Sequence, residues 1–253
     1  VKVVDTVAAL EAERRTRGAG ATGFVPTMGA LHDGHASLVR RARAENAHAW
    51  ASIFVNPAQF DDGRDLERYP RTTDADIEML EDAGCDLLFL PRADDIYRDG
   101  YRYRVTENAL SLELEGASRP GHFDGVLTVV LKLLLLVRPD RAYFGEKDFQ
   151  QLLLVEGLAR AFFLDTRIVR CPTVREADGL AMSSRNRLLS PADRARAPAL
   201  HRLLAASVAE RRPAQDAESA LAREGFDVDY VADRDGRRLA AVRLGGVRLI
   251  DNV

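Results

Sequence analysis

Cysteine is scarce in this chain of 253 residues: Cys85 and Cys171 lie far apart and form neither a Cys-x-x-Cys pair nor a Cys/His cluster. That spacing excludes a disulfide framework and a zinc-ribbon site as readings, and a reducing, cytoplasmic setting is expected. Long hydrophobic runs are missing as well. The longest, residues 126–137, is interrupted by Thr128 and Lys132 and falls short of the about 20 apolar residues that cross a bilayer, so it reads as a buried helix and no membrane partner is expected. Residues 1–17 mix charges without a continuous apolar stretch, so no secretory signal is expected there. An excess of one charge is also absent. A formal net charge of -3 provides no global basic field for nucleic acid, and small acidic ligands are the better partners.

What is present is alternation. A helix is predicted at 5–17, a strand at 23–26, a helix from His35, a strand at 50–55, a helix from Asp74 and a strand at 86–90. An irregular stretch at 91–122 precedes a helix at 124–137, a strand at 142–144, a helix at 148–162 and a strand at 167–170. This βαβ rhythm predicts an α/β fold with a Rossmann-like, mainly parallel sheet, which binds ligands beyond the carboxyl ends of its strands. His32, Asn56 and Lys147 each follow a predicted strand, so one rim would collect them. Past about residue 175 come helices at 191–210 and 214–224 and short strands near 228–231, 239–244 and 247–250. They predict a smaller α+β domain, 175–253, behind a first domain of 1–174.

The most informative run is Met28, Gly29, Ala30, Leu31, His32, Asp33, Gly34 and His35, which sets two imidazoles three residues apart where a strand turns into a helix. Two histidines on a helix are commonly nothing more than surface residues. At a helix start, however, unpaired N–H groups and the helix dipole favour anions, and the glycines let a ligand approach the backbone. A phosphate site is therefore the better reading.

Three further segments carry polar groups after strands or between the domains. Gly145, Glu146, Lys147 and Asp148 open a helix, where Lys147 offers a point charge and Asp148 suits the first helical turn or a ribose hydroxyl. Met182, Ser183, Ser184 and Arg185 group hydroxyls with a guanidinium, a composition that also fits a plain solvated turn. Asn56 and Gln59 supply carboxamides that recognise hydroxyls and carboxylates without adding charge. Arg119 and His122 add a cation and an imidazole whose meaning depends on whether their segment folds toward the rim.

Taken in order, PTMGALHDGH, IFVNPAQF, YPRT, LEGASRPGHFDGV, FGEKDFQQL, DGLAMSSRN and the terminal RLIDN resemble the pantoate–β-alanine ligase family over nearly the whole chain. The His-x-Gly-His element alone indicates only the wider nucleotidylyltransferase and class I aminoacyl-tRNA synthetase superfamily; NPAQF and GEKDFQQL narrow it. The resemblance implies ATP-dependent condensation of (R)-pantoate with β-alanine through a pantoyl adenylate, with Mg²⁺ offsetting the polyphosphate charge, in a cytoplasmic homodimer. It implies that residues 28–35 line the nucleotide site, with His32 and His35 on the phosphates and His35 the proton donor. It further implies that Gly145, Glu146, Lys147 and Asp148 bind ATP, with Lys147 on the phosphates. Val174 would contact adenine through its backbone, and Met182, Ser183, Ser184 and Arg185 would complete the phosphate clamp. Gln59 and Gln151 would hold pantoate, with Gln59 bordering β-alanine and Asn56 and Arg119 nearby. The second domain would act as a lid. Two departures are visible: Ala58 stands where the family commonly has Met, and the segment 233–239 is short for the second domain.

Two other functions use the same features. A cytidylyl- or adenylyltransferase would share the histidine pair without forming an amide, and the two glutamines argue against it. A silent nucleotide-binding regulator would not need His35, Lys147, Ser183 and Arg185 together.

Overall fold

Six of the apolar segments pair as parallel strands in the order β1-β4-β3-β2-β5-β6. They are β1 (Lys2–Val4), β2 (Thr22–Thr27), β3 (His48–Ile53), β4 (Leu87–Phe89), β5 (Arg141–Gly145) and β6 (Arg167–Cys171). The computed structural model describes residues 1–60, 66–67 and 69–253. Contacts group them into two units, Val1–Gly145 with Gln150–Cys171, and Glu146–Phe149 with Pro172–Val253. The predicted division at residue 174 left 146–149 with the first unit, whereas their contacts group them with the second.

In the first unit the strand order reverses direction beside β2. Its ladder to β3 runs the full strand, from Thr22↔His48 to Thr27↔Ile53, but its ladder to β5 ends at Phe24↔Ala142. Pro26, which has no N–H to donate, therefore sits beyond the last residue of β2 paired to β5. An open crevice at such a reversal is where parallel sheets bind ligands. The following helix, α2 (Asp33–Glu45), after α1 (Val7–Thr16), turns Ala36, Val39 and Ala42 into the core at helical spacing.

β1 escaped the sequence reading because three residues at a sheet edge carry no periodicity, and only pairing with β4 makes them a strand. The stretch 91–122 is less irregular than expected. It holds α4 (Ala93–Ile96) and α5 (Glu115–Ser118), after α3 (Thr73–Asp82), and a 3-10 turn at Leu110–Leu112. Distant side chains stabilise that region. The Gln150 amide donates to the carbonyls of Leu110 (2.7 Å) and Glu113 (2.8 Å) and accepts from the Glu115 N–H (3.1 Å). Two longer helices complete the unit, α6 (His122–Val137) and α7 (Phe149–Ala161), and among the described residues no helix is long and apolar enough to cross a membrane.

The second unit holds an antiparallel sheet of β7 (Asp227–Arg234), β8 (Arg237–Leu244) and β9 (Val247–Asn252). Its core joins Ala240 and Val242 of β8 to Leu200, Leu204 and Leu221 of the helices. The predicted helix 191–210 is broken into α8 (Pro191–Arg196) and α9 (Ala199–Ala209), because Pro198 can neither donate a helical bond nor follow a helical carbonyl four residues back. Helix α10 (Ala214–Arg223) follows. The short segment 233–239 is a tight hairpin: Asp235 and Gly236, with φ of 50 and 78, make the two-residue turn that matches strand twist.

Arg238 fastens this hairpin. Its guanidinium meets both Asp233 oxygens at 2.7 and 2.8 Å, the Ser207 hydroxyl at 2.9 Å and the Arg212 carbonyl at 2.8 Å. That contact holds the Asp233 carboxyl below the usual carboxylate range. A lowered pKa adds stability that is whole above the ordinary carboxylate range and is lost as pH falls through the folded value. Arg238→Met is expected to cost about 1–3 kcal/mol near neutral pH, chiefly by orphaning the Ser207 and Arg212 oxygens. Urea melts should show the gap to wild type narrowing in acid; an unchanged gap would refute the Asp233 contribution.

Candidate active site

Beyond β2 the chain makes a buried, left-handed turn, with φ of 82 at Gly29 and 50 at Ala30. Left-handed backbone is costly for alanine, so something must compensate. The Asp76 carboxylate, buried on α3, accepts the N–H groups of Ala30 (2.9 Å) and Leu31 (2.8 Å) and the Thr72 hydroxyl (3.0 Å). Glycine is required at 29 on two grounds, since an added Cβ would also stand 3.1 Å from both Asp76 and Ile53. A cavity of about 330 Å³ opens beside this turn, lined by Met28, Phe54, Arg71, Thr72 and Asp76 among others.

The turn delivers His32 to the N-cap of α2 and His35 to its first turn, with ring centroids 4.1 Å apart. The His32 backbone N–H points at Nδ1 of His35 across 3.4 Å. An Nδ1 that accepts this N–H places the proton of a neutral ring on Nε2. Asp33 is exposed and Gly34 is half-buried; the Gly34 carbonyl accepts the Ser37 hydroxyl at 2.7 Å.

β3 delivers the carboxamides. Asn56 caps the 3-10 turn Pro57–Gln59 and is 1% exposed. Its oxygen accepts from the Ala58 N–H (3.2 Å) and the Tyr97 hydroxyl (2.6 Å), and its nitrogen donates to Gln59 Oε1 (2.9 Å) and the Gly125 carbonyl (3.1 Å). All four hydrogen-bonding positions of Asn56 are thus engaged within the protein, one of them on the Gln59 side chain. Gln59 Nε2 lies 3.0 Å from the Met28 sulfur, a weak acceptor that an incoming carboxylate or hydroxyl would outcompete. The segment 119–123 does fold toward these groups. Arg119 and His122 both reach the Gln59 carbonyl, at 3.3 and 2.8 Å, and so hold the backbone of the same turn. Ala58 lines a second cavity of about 170 Å³ with Phe60, Tyr101, Arg104 and His122.

The adjacent glutamines of α7 divide their tasks. Gln150 is buried and bound to the 110–115 backbone, whereas Gln151 is half-buried and has no such scaffold bonds.

In the second unit, Lys147 is half-buried, its Nζ 3.7 Å from Asp148. Gly145 ends β5 just before this turn, and Glu146 pairs with Arg237 at 2.7 Å. Val174 and Met182 face each other across a small hairpin, the Met182 N–H bonding the Val174 carbonyl at 3.0 Å and Gly179 supplying its left-handed residue. Ser183 then caps the 3-10 turn Ser184–Leu188, its Oγ accepting the Arg185 N–H at 3.3 Å. Ser184 is buried and Arg185 half-buried. Among the described residues no three His, Cys, Asp or Glu side chains cluster as a metal cage.

Sequence reasoning missed Asp76, Gly125, Arg237 and Asn252. Asp76 looks like an ordinary acid in a helix's first turn, and nothing local tells that its partners lie 45 residues away. Asn252 stood in a quoted motif without a task.

The profile of the family described as Pantoate-beta-alanine ligase matches residues 2–253. A pantothenate synthetase of Bdellovibrio bacteriovorus is 54% identical over 239 residues, 94% of this chain and 94% of that protein. One from Coxiella burnetii is 47% identical over 252 residues, 100% of this chain and 96% of its own. The crystal structure of pantothenate synthetase from Thermus thermophilus matches with a TM-score of 0.93 at 45% identity, covering 100% of this chain and 99% of that one. That of pantoate-beta-alanine ligase from Francisella tularensis, complexed with beta-gamma ATP and beta-alanine, matches with a TM-score of 0.92 at 39% identity, covering 100% and 97%.

Gly125 shows how tightly the carboxamide turn is set, for a Cβ there would meet the Ala58 carbonyl oxygen at 2.2 Å and its carbon at 2.4 Å. Gly125→Ala gains about 1 kcal/mol of helix propensity. Overpacking against rigid backbone costs about 1–3 kcal/mol, so a net loss of stability is expected, together with a displaced Gln59. Urea unfolding and a crystal structure of the variant check this; a variant as stable as wild type with Gln59 in place would contradict it.

Proposed function

Because the chain belongs to the pantoate–β-alanine ligase family, whose ATP-dependent reaction joins pantoate to β-alanine, we propose a division of labour among its residues. A carboxylate is a poor acyl donor. Attack of the pantoate carboxylate on the α-phosphorus of ATP expels diphosphate and leaves a pantoyl adenylate, whose acyl carbon is then attacked by the β-alanine amine with departure of AMP.

The observation that carries this reading is the 3.0 Å approach of the Gln59 amide to Met28 in the nucleotide turn, which sets a hydroxy-acid grip against a phosphate grip. Gln59 and Gln151 hold pantoate by neutral amides, so its carboxylate keeps its nucleophilic charge unpaired. Gln59 also borders the β-alanine position. Asn56 and Arg119 serve that site by fixing Gln59. Residues 28–35 receive the nucleotide, and His32 and His35 bond its phosphates. In this reading His35 donates to the phosphate, and a preorganised donor stabilises charge that grows in the transition state. Gly145, Glu146, Lys147 and Asp148 bind ATP, with Lys147 as a point charge on the phosphates; Met182, Ser183, Ser184 and Arg185 add hydroxyls and a guanidinium, and Val174 takes the adenine by its backbone. Magnesium enters as part of the MgATP substrate, carried mostly by phosphate oxygens, which suits a protein without a carboxylate cage among its described residues. We read the second unit as a lid that keeps water from the adenylate, and the working enzyme as a cytoplasmic homodimer.

Pantothenate formation from ATP, pantoate and β-alanine, with each omitted in turn, tests the reading. Hydroxylamine should trap the adenylate as a hydroxamate. His35→Ala and Lys147→Ala are expected to slow pantoate-dependent diphosphate release by about 10²-fold or more. Gln59→Ala and Gln151→Ala should instead raise the pantoate KM strongly. Wild-type rates in the first pair, or an unchanged pantoate KM in the second, would refute the roles assigned.

A further inference from the structure

The terminal segment Arg248, Leu249, Ile250, Asp251 and Asn252 has no part in the reaction described so far, yet its end is among the most heavily bonded places in the second unit. Asn252, 3% exposed, donates from Nδ2 to two successive carbonyls, those of Glu146 and Lys147, each at 2.9 Å. Its Oδ1 is fixed by Arg237 Nη1 at 2.8 Å, so the amide is oriented with its donors toward the turn. Arg237 also acts on the turn directly. Nη2 bonds the Glu146 carboxylate at 2.7 Å, and the guanidinium carbon lies 4.8 Å from the centroid of the Phe149 ring. The strand end is itself anchored: Arg175 bonds the fully buried Asp251 carboxylate at 2.7 and 2.9 Å and the Asn252 carbonyl at 3.2 Å.

We propose that Asn252 and Arg237 are positioning residues for Lys147. Together they hold the Glu146–Phe149 turn by its backbone carbonyls, its acid and its aromatic ring, so that the lysine is presented in one conformation to the phosphates. A lysine on a flexible four-carbon stem loses rotamer entropy when it binds, and a rigid backbone beneath it lowers the remaining cost of orientation. The chemistry also demands asparagine. An aspartate has the same shape but would turn acceptor oxygens toward two carbonyl oxygens, replacing two attractions by repulsion. This inference rests on the reading of Lys147 as a phosphate ligand, and its test separates the two.

In the intact chain, Asn252→Ala, Asn252→Asp, Lys147→Ala and the double variant Lys147→Ala with Asn252→Ala are compared in pantoate-dependent diphosphate release. Amide hydrogen exchange is followed at residues 146–149. Asn252→Ala and Asn252→Asp should raise the KM for ATP about tenfold or more, leave the KM for pantoate within about twofold, and speed exchange at 146–149. The Asn252→Ala penalty should vanish when Lys147 is already alanine, as coupled neighbours require. Equal penalties in both backgrounds, or unchanged exchange at 146–149, would overturn the inference while leaving Lys147 its role. Lys147→Ala at wild-type rates would instead overturn the phosphate reading itself. Should Asn252→Ala fail to fold, Arg237→Ala removes the orienting bond while leaving every residue of β9 in place and carries the same comparison.

Discussion

The turn after β2 is buried and left-handed, so its amides need partners within the protein. They depend on one carboxylate from another helix. Asp76 accepts two of them, and with that the backbone of Ala30 and Leu31 is set, the N-cap of α2 falls on His32, and His35 stands one turn further. An unpaired buried N–H costs about 1–3 kcal/mol, so two of them exceed what a strained alanine could bear alone. The same solution recurs elsewhere in each unit. Asn56 and His122 hold the Gln59 turn, Gln150 holds the 110–115 backbone, and Asn252 holds the lysine turn of the second unit. In each case a neutral or acidic side chain supplies what a loop's own backbone cannot.

This arrangement suits a reaction whose first nucleophile is a carboxylate. A cationic grip on pantoate would bind more tightly but would stabilise the ground-state charge that has to be spent on phosphorus. Amides avoid that penalty. The strong donors and cations are assigned instead to the phosphates, where negative charge increases as diphosphate leaves. Asn56 and Arg119, expected near the substrate, are both bonded to Gln59.

The periodic elements were legible because burial writes a period into the sequence. The helix at 124–137 and the strand at 142–144 were found within a few residues, and the chain order of strand, helix and strand specified a parallel sheet. The three-residue β1 was not legible, since an edge strand so short has no pattern. The break at Pro198 was written in the chain but outweighed by the apolar pattern on both sides. The apparent shortening at 233–239 reflects a two-residue Asp-Gly turn, a strong local signal whose meaning came from strands it joins. The candidate residues His32, His35, Lys147 and Gln59 were picked out by chemical type and place after strands. Asp76, Arg237 and Asn252 were not, because a common residue becomes a positioning group only through partners far along the chain.

What this sequence determined by itself is the alternation of elements, a set of candidate side chains whose chemistry suits phosphate and a hydroxy acid, and the family to which the chain belongs. Each rests on local pattern or residue chemistry. Tertiary structure alone decided which polar side chains are engaged in holding loops. It separated Gln150 from Gln151 and made Asn56 a support for Gln59. The reason is physical: hydrogen-bond saturation of a buried group is a property of all its neighbours, and those neighbours are gathered by the fold from distant positions.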